Sequence, residues 1–328
     1  MKNKFIILFL MSVLITCSCN KKKAKKFNPK ATIAVFTNKE TMPVWVHGNE
    51  NSGYIILAVH GGPGSNVLDF RNYKCGKGFL SLETDYQVAY WQQRASGQSV
   101  GRNKKSLFTI ETYVNDCDAV VNELKSKYPG KEIILFGHSW GGMLTAAYLN
   151  DNTRRAKIKG WIDAAGAHNG TIFHQTTIDD INGEADARIS ANENTNYWEG
   201  IKEGLIADPN QANSIAYAVV NEIPEVTVKI NNAEDFEFTK RAIKSNRQLF
   251  TEIVESNYTS SLSSFNLPVL LLWGEYDFAV SKTLRQEVID NIGTDDLTSI
   301  TFNASGHYMM FHEPVLFANS IKDFIEGL

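Results

Sequence analysis

The sequence is poor in the residues that build small stapled scaffolds: its 328 residues include only 4 cysteines and 8 prolines. A disulfide framework is therefore excluded as the main source of stability. There is no excess of positive charge either, since 33 lysines and arginines stand against 36 acidic residues, a formal net charge of -3. That balance leaves no basic footprint for nucleic acid. The 7 histidines are scattered, and none has ligand spacing to a carboxylate or cysteine, so no metal site is expected. Neither a phosphate-cradling loop nor a dinucleotide fingerprint occurs, and no cofactor is expected. Repeats and low-complexity tracts are absent. What remains is a composition of 43% hydrophobic and 21% charged residues, that of a globular chain with a substantial core. The length allows one large domain or two of ordinary size.

The N-terminus has its own pattern. Lys2 and Lys4 precede an apolar run from Phe5 to Ile15, well short of the roughly 20 residues that span a bilayer. It ends in Thr16-Cys17-Ser18-Cys19-Asn20 and a lysine-rich stretch from Lys21 to Lys26. An apolar segment closing on a cysteine after small residues resembles a bacterial lipoprotein signal. The resemblance implies that residues 1–18 are removed and that Cys19, preceded by the small Ser18, carries the lipid. Cys17, preceded by the bulkier Thr16, is the alternative. Residues 19–30 then form a basic tether, and the protein is expected to be exported. It would be held at a bacterial membrane surface facing the periplasm or exterior, without a transmembrane helix. The plainer alternative is an ordinary secretory signal with two incidental cysteines. Export would permit a disulfide between Cys75 and Cys117, but both equally suit small buried hydrophobes.

From residue 31 the apolar segments alternate between strand-like and helix-like. Strands are expected at 32–36, 44–47, 55–60, 87–91, 132–136, 158–162, 269–273 and 297–302. Continuous runs such as Ile133-Ile134-Leu135-Phe136 suit strands buried on both faces of a mainly parallel sheet. Helices are expected at 110–128, 141–150, 281–291 and 314–326. In the first of these, Ile110, Tyr113, Val114, Cys117, Val120, Val121 and Leu124 mark one helical face. The alternation predicts an α/β fold, a doubly wound, mostly parallel eight-stranded sheet built from residues 31–165 and 266–328. Residues 166–265 break the pattern, read as amphipathic helices, and predict a helical lid over the carboxyl edge of the sheet. A separate helical domain is the alternative.

Chemistry enters at Gly137-His138-Ser139-Trp140-Gly141, a G-x-S-x-G between a buried strand and a helix. That context presents Ser139 on a sharp turn as a nucleophile, as in the α/β-hydrolase fold. A serine hydroxyl needs a base and a carboxylate to orient that base, in the chain order Ser, acid, His. Asp277 follows the strand at 269–273, with Glu275 as the alternative acid. His307 follows the strand at 297–302, with His312 as a rival nearer the last helix. His168 and His174 precede the acid and read as exposed or locally bonded residues of the lid. The oxyanion would be held by the backbone N–H groups of Trp140 and of Gly62, in His60-Gly61-Gly62-Pro63-Gly64. Pro63 has no N–H to offer. His60 ends a strand before the nucleophile and reads as a structural hydrogen-bonding residue.

The His60–Gly64 and Gly137–Gly142 segments together resemble the prolyl iminopeptidase group of α/β-hydrolases. In Gln92-Gln93-Arg94-Ala95-Ser96-Gly97-Gln98-Ser99 the family pattern D-Q-R-G-x-G-x-S is matched at Gln93, Arg94, Gly97 and Ser99. Gln92 replaces its Asp and Ala95 its Gly. The resemblance implies release of N-terminal residues, often proline, from small peptides. It further implies a lid carboxylate for the substrate amine, for which Glu199 in Trp198-Glu199-Gly200 is the candidate among lid acids that also include Glu255. The alternatives are hydrolysis of a carboxylic ester or lactone by the same machinery and, in another class, a non-catalytic lipid-anchored binding protein. Epoxide hydrolase and haloalkane dehalogenase chemistry are disfavoured, because those relatives use Asp where this chain has Ser139.

Overall fold

The computed structural model describes residues 30–71, 77–102, 104–230 and 238–328. The expected signal peptide, Cys17, Cys19, the tether up to residue 29, and Cys75 lie outside the described residues. Cys117 is a free, buried thiol on a helix, packed as a hydrophobe.

A single sheet organises the chain. Its strands are β1 (Ile33–Thr37), β2 (Glu40–Gly48), β3 (Tyr54–Val59), β4 (Gln87–Trp91), β5 (Val100–Gly101), β6 (Glu132–His138), β7 (Gly160–Ala164), β8 (Val269–Gly274) and β9 (Leu297–Phe302). Their order is β1-β2-β4-β3-β6-β7-β8-β9, with β5 paired to β2. β2 runs antiparallel to β1, β4 and β5, and every pair from β4 through β9 is parallel. The sheet thus has a ninth strand beyond the expected eight. β5 is only two residues long, with Val100 exposed, too short to leave a periodic signal. β2 begins earlier than expected and contains Pro43, which lies just beyond the last β2–β4 pair, Val44 with Trp91. A missing N–H costs no ladder bond there. β7 starts at Gly160 because the Ile158 N–H closes a turn onto the Arg155 carbonyl at 3.0 Å.

Parallel neighbours require crossovers, and helices supply them. α1 (Gly78–Leu82) precedes β4, α2 (Ile110–Lys127) precedes β6, and α3 (Trp140–Leu149) and α4 (Asn152–Arg155) follow β6. α9 (Lys282–Asn291) joins β8 to β9, and α10 (Met309–His312) and α11 (Pro314–Glu326) close the chain. The buried strands feed two cores by alternation. Ile55, Leu57, Val59, Ile133, Leu135, Val269 and Leu271 pack with α2 and α3. Ile56, Ala58, Ile134, Phe136, Leu270 and Leu272 pack with α1 and α11 on the opposite face. Runs without polar interruption are what a strand covered on both sides demands.

Between β7 and β8 the chain forms α5 (Gly170–Ser190), α6 (Thr195–Ala207), α7 (Ala212–Val219) and α8 (Lys240–Glu255). This helical insertion has an apolar centre of its own around Ile181, Ala185, Trp198, Leu205, Ala216 and Val219, which also takes in Phe278 and Ala279 of the sheet's edge. α8 is tied to the sheet by charge. Arg241 donates to Glu40 Oε2 at 2.7 Å, and Glu40 is fully buried. Beside it, buried Arg94 makes two 2.7 Å hydrogen bonds to Asp116 and lies 3.7 Å from Glu40. Burial, with a smaller push from the Glu40 carboxylate, raises the Asp116 carboxyl to about 6 against the opposing pull of Arg94. Replacing Arg94 by Met leaves Asp116 without a counter-charge, a loss worth about 3–5 kcal/mol where a buried pair is broken. Urea unfolding should show that loss as a lower midpoint; an unchanged midpoint would contradict it.

Candidate active site

Ser139 stands where β6 turns into α3, and its backbone is in the left-handed region, with φ 58 and ψ -122. A non-glycine residue held there carries strain of about 1–3 kcal/mol and must be braced by its surroundings. Bracing is visible on both sides of the residue. The Ser139 N–H donates to the Ala164 carbonyl at 3.1 Å, and the Ser139 carbonyl accepts from Gly142 at 2.8 Å and Ala167 at 3.2 Å. The flanking glycines are required by close approach. A Cβ on Gly137 would sit 2.5 Å from the Gly141 carbonyl oxygen, and one on Gly141 would sit 2.9 Å from that of His60. The turn leaves Ser139 partly exposed while Trp140 is buried behind it.

The two loops after β8 and β9 bring Asp277 and His307 together. His307 Nδ1 and Asp277 Oδ2 are 2.9 Å apart, and both side chains are buried. Asp277 Oδ1 accepts the backbone N–H groups of Ala279 at 3.0 Å and Val280 at 2.9 Å, which locks the carboxylate in place. Of the alternatives, Glu275 turns outward to Lys282 at 2.5 Å. His312 is buried, and its Nδ1 accepts the Gly306 N–H at 3.2 Å, so it supports the loop that carries His307. Burial drives the His312 imidazole down to about 3. His60 Nδ1 donates to the Gly61 carbonyl at 2.8 Å while its Nε2 accepts the Gln93 N–H at 3.3 Å, and burial lowers it to about 4. His168 is buried, with Nε2 3.3 Å from Glu287, whereas His174 is exposed on α5.

Ser139, Gly62 and Trp140 line one cavity of about 70 Å³, roofed by the helical insertion. Its walls are Met143 and Val280 from the sheet side and Phe173, Phe250, Ile253 and Val254 from α5 and α8. Neutral polar groups reach it from Asn213, Tyr217 and Asn246. Gln93 ties the strand ends behind it together: its amide donates to the His60 carbonyl at 2.6 Å and accepts Trp140 Nε1–H at 2.9 Å. The departures from the family pattern find reasons here. Gln92 donates to the Ser65 carbonyl at 2.9 Å and accepts the Val67 N–H at 3.3 Å, and a carboxylate could only accept. Ala95 takes the φ of 60 that the family's glycine would provide.

Glu199 is not brought to this cavity. It is exposed on α6, because that helix turns its neighbour Trp198 into the insertion's apolar centre. Glu255, at the end of α8, is exposed as well. No carboxylate lines the cavity among the described residues. The site also holds residues to which the sequence assigns no role. Tyr217 of α7 packs edge-on against His307, ring centroids 5.7 Å apart, and Asn246 donates to the Pro63 carbonyl at 3.0 Å. Helical periodicity in the insertion could have marked them as inward-facing, but nothing local points them at Ser139. His138 was visible only as the variable letter of the motif.

A serine hydrolase of the α/β-hydrolase class is what this fold and site define. The chain belongs to the family described as Hydrolase_4: Serine aminopeptidase, S33, whose model matches residues 82–314. It is 21% identical over 300 residues to the probable aminopeptidase YbaC of Bacillus subtilis (strain 168), covering 84% of this chain and 90% of that relative. The solved proline iminopeptidase of Mycobacterium smegmatis superposes with a TM-score of 0.62 at 17% identity, over 90% of this chain and 97% of its own. An esterase from Exiguobacterium antarcticum gives 0.61 at 18% identity, over 90% and 100%.

Behind the nucleophile turn lies an unusual acid. Asp163 of β7 is fully buried beside Gly137, and neither of its oxygens meets a hydrogen-bond donor among the described residues. Burial pushes its carboxyl up to about 8. The folded state therefore keeps a proton that the unfolded chain releases above about pH 4, so stability falls as pH rises from about 4 to about 8. Asp163→Asn removes that contribution. Measured by urea titration across this range, the unfolding free energy of the wild type should fall relative to that of the variant as pH rises; parallel curves would contradict the assignment.

Proposed function

We propose that the chain cleaves acyl bonds through an acyl-enzyme, with Ser139 as nucleophile, His307 as general base and Asp277 as its orienting acid. The observation that carries this reading is the 2.9 Å contact from His307 Nδ1 to Asp277 Oδ2. With Nδ1–H donated to the carboxylate, Nε2 is the lone-pair nitrogen and is free to take the Ser139 proton. Ser139 Oγ attacks the carbonyl carbon, and the N–H groups of Gly62 and Trp140 receive the oxyanion. His307 passes its proton to the leaving amine or alkoxide as the acyl bond breaks. Water then loses a proton to His307, attacks the acyl-enzyme, and returns Ser139 to its starting state.

For the substrate, we infer release of small N-terminal residues, proline iminopeptidase-like, from short peptides. Support comes from the aminopeptidase family and from the cavity. At roughly 10–15 Å³ per enclosed water, about 70 Å³ suits a group of about five to seven heavy atoms, the size of a whole proline residue. A second reading, hydrolysis of a small carboxylic ester or lactone, is favoured by one observation: the described lining residues include no carboxylate to pair with a free amine. Proline and alanine arylamides assayed beside short acyl esters separate the two; ester turnover without arylamide turnover would sink the peptidase reading. In either case Ser139→Ala should abolish fluorophosphonate labelling, and Asp277→Asn should lower kcat by about 10⁴-fold. An intact protein that never labels would instead support the non-catalytic binding reading.

We further propose lipid anchoring at Cys19 on the exterior side of a bacterial membrane. Metabolic labelling with an alkyne fatty acid should mark the protein, survive Cys17→Ala, and disappear in Cys19→Ala. Labelling that persists in the Cys19 variant would move the anchor to another residue, and absence of labelling in the wild type would remove it.

A further inference from the structure

The residue between Gly137 and Ser139 adjoins the proposed nucleophile, the proposed base and the loop of Gly61. His138 is the last residue of β6 and is almost fully buried. Its Nε2 lies 2.9 Å from the backbone carbonyl oxygen of His307. A carbonyl only accepts, so Nε2 must carry the proton and His138 is the Nε2–H tautomer. The two imidazole rings lie 4.6 Å apart at 41°. On its other side the ring faces the oxyanion loop: a Cβ on Gly61 would come 3.3 Å from His138 Nδ1 and 3.0 Å from Ser139 Cβ. Phe70 and Tyr308 flank it with ring centroids at 6.1 Å and 5.6 Å, fixing its orientation. Burial, then the neighbouring His307 and His60, hold the imidazole well below its usual range, so it stays neutral.

This geometry points to His138 as a positioning residue of the hydrolase, whose Nε2–H clamps the His307 backbone and sets the distance from that base to Ser139. The His307 side chain is tied to Asp277 at Nδ1, and its loop meets the Asp277 loop through the Tyr276 N–H on the Ser305 carbonyl at 3.0 Å. A ring held only at Nδ1 can still swing about that bond, taking Nε2 away from Ser139. The second tie, to the main chain of the same residue, comes from the amino acid covalently joined to the nucleophile. Base and nucleophile are thereby referenced to one another across two distant loops. The inference rests on the proposed pairing of Ser139 with His307. It adds a role for a side chain that neither touches substrate nor exchanges protons.

The test compares two side chains of equal length in the full chain. His138→Gln keeps an N–H donor near the Nε2 position, and His138→Met removes it. The readout is the second-order rate of fluorophosphonate labelling at Ser139, with kcat and KM on whichever chromogenic substrate is turned over and a thermal melt as control. His138→Met should label and turn over about 10- to 100-fold more slowly, the scale of a small misplacement of a reacting group, with KM within about twofold. His138→Gln should recover most of that loss at a similar melting temperature. Its rate should retain the acid limb of the wild-type pH profile, because the wild-type His138 does not titrate there. Wild-type rates in the Met variant would overturn the inference. So would equal losses in the Met and Gln variants, or losses that follow only the melting temperature. Absence of Ser139 labelling in the wild type would instead mark failure of the nucleophile assignment.

Discussion

The left-handed backbone of Ser139 is the constraint on which the surrounding architecture depends. A serine at φ 58 is not held by its own preferences. It is held because β6 is buried between β3 and β7 and delivers the chain at a fixed height. The Ala164 carbonyl at the end of β7 then captures the Ser139 N–H, and Ala167 captures its carbonyl. Gly137 and Gly141 let strand, turn and helix approach more closely than any side chain would allow. Sheet order, crossover helices and glycine spacing all converge on one residue. The turn's strain is stored against a rigid scaffold, so its energy favours presentation of the hydroxyl and not relaxation.

The helical insertion adds selection to that presentation. Phe173, Phe250, Ile253 and Val254 convert an open sheet edge into an enclosed, largely apolar cavity. Its seating relies on buried charge more than on shape. Arg241 reaches from α8 to Glu40 on β2, into the same pocket that holds Arg94 and Asp116. The Asn246 bond to the Pro63 carbonyl joins α8 to the loop carrying Gly62. Movement of α8 would therefore disturb cavity wall and oxyanion loop together, coupling substrate fit to the geometry of the proposed donors.

Much of this was legible before any coordinates. Continuous apolar runs suit strands covered on both faces, so those expected at 132–136 and 269–273 end within two residues of β6 and β8. Ser139, Asp277 and His307 were legible because chain order and strand context constrain them jointly, and the structure brings the last two into contact. The insertion was legible only as helix. Its residues face Ser139 by tertiary packing, and Tyr217 or Asn246 differ in no local way from a solvated polar residue. Glu199 failed for the complementary reason. A short motif identified it, but the neighbouring Trp198 dictates which face of α6 is buried. β5 escaped notice because two residues carry no period.

The surroundings of Ser139 distinguish two buried acids, Asp163 and Asp277. Asp163 and Asp277 both follow from buried strands near Ser139, and both are nearly inaccessible. Asp163 meets no donor among the described residues, and burial raises its carboxyl to about 8. Asp277 receives two backbone N–H groups and the imidazole N–H of His307. The absence of donors, like burial, favours the neutral form of an acid such as Asp163. The remaining imidazoles close by, His60, His138 and His312, are kept neutral by the same desolvation. In the proposed mechanism, the imidazolium formed when Ser139 gives up its proton finds the Asp277 carboxylate already in place.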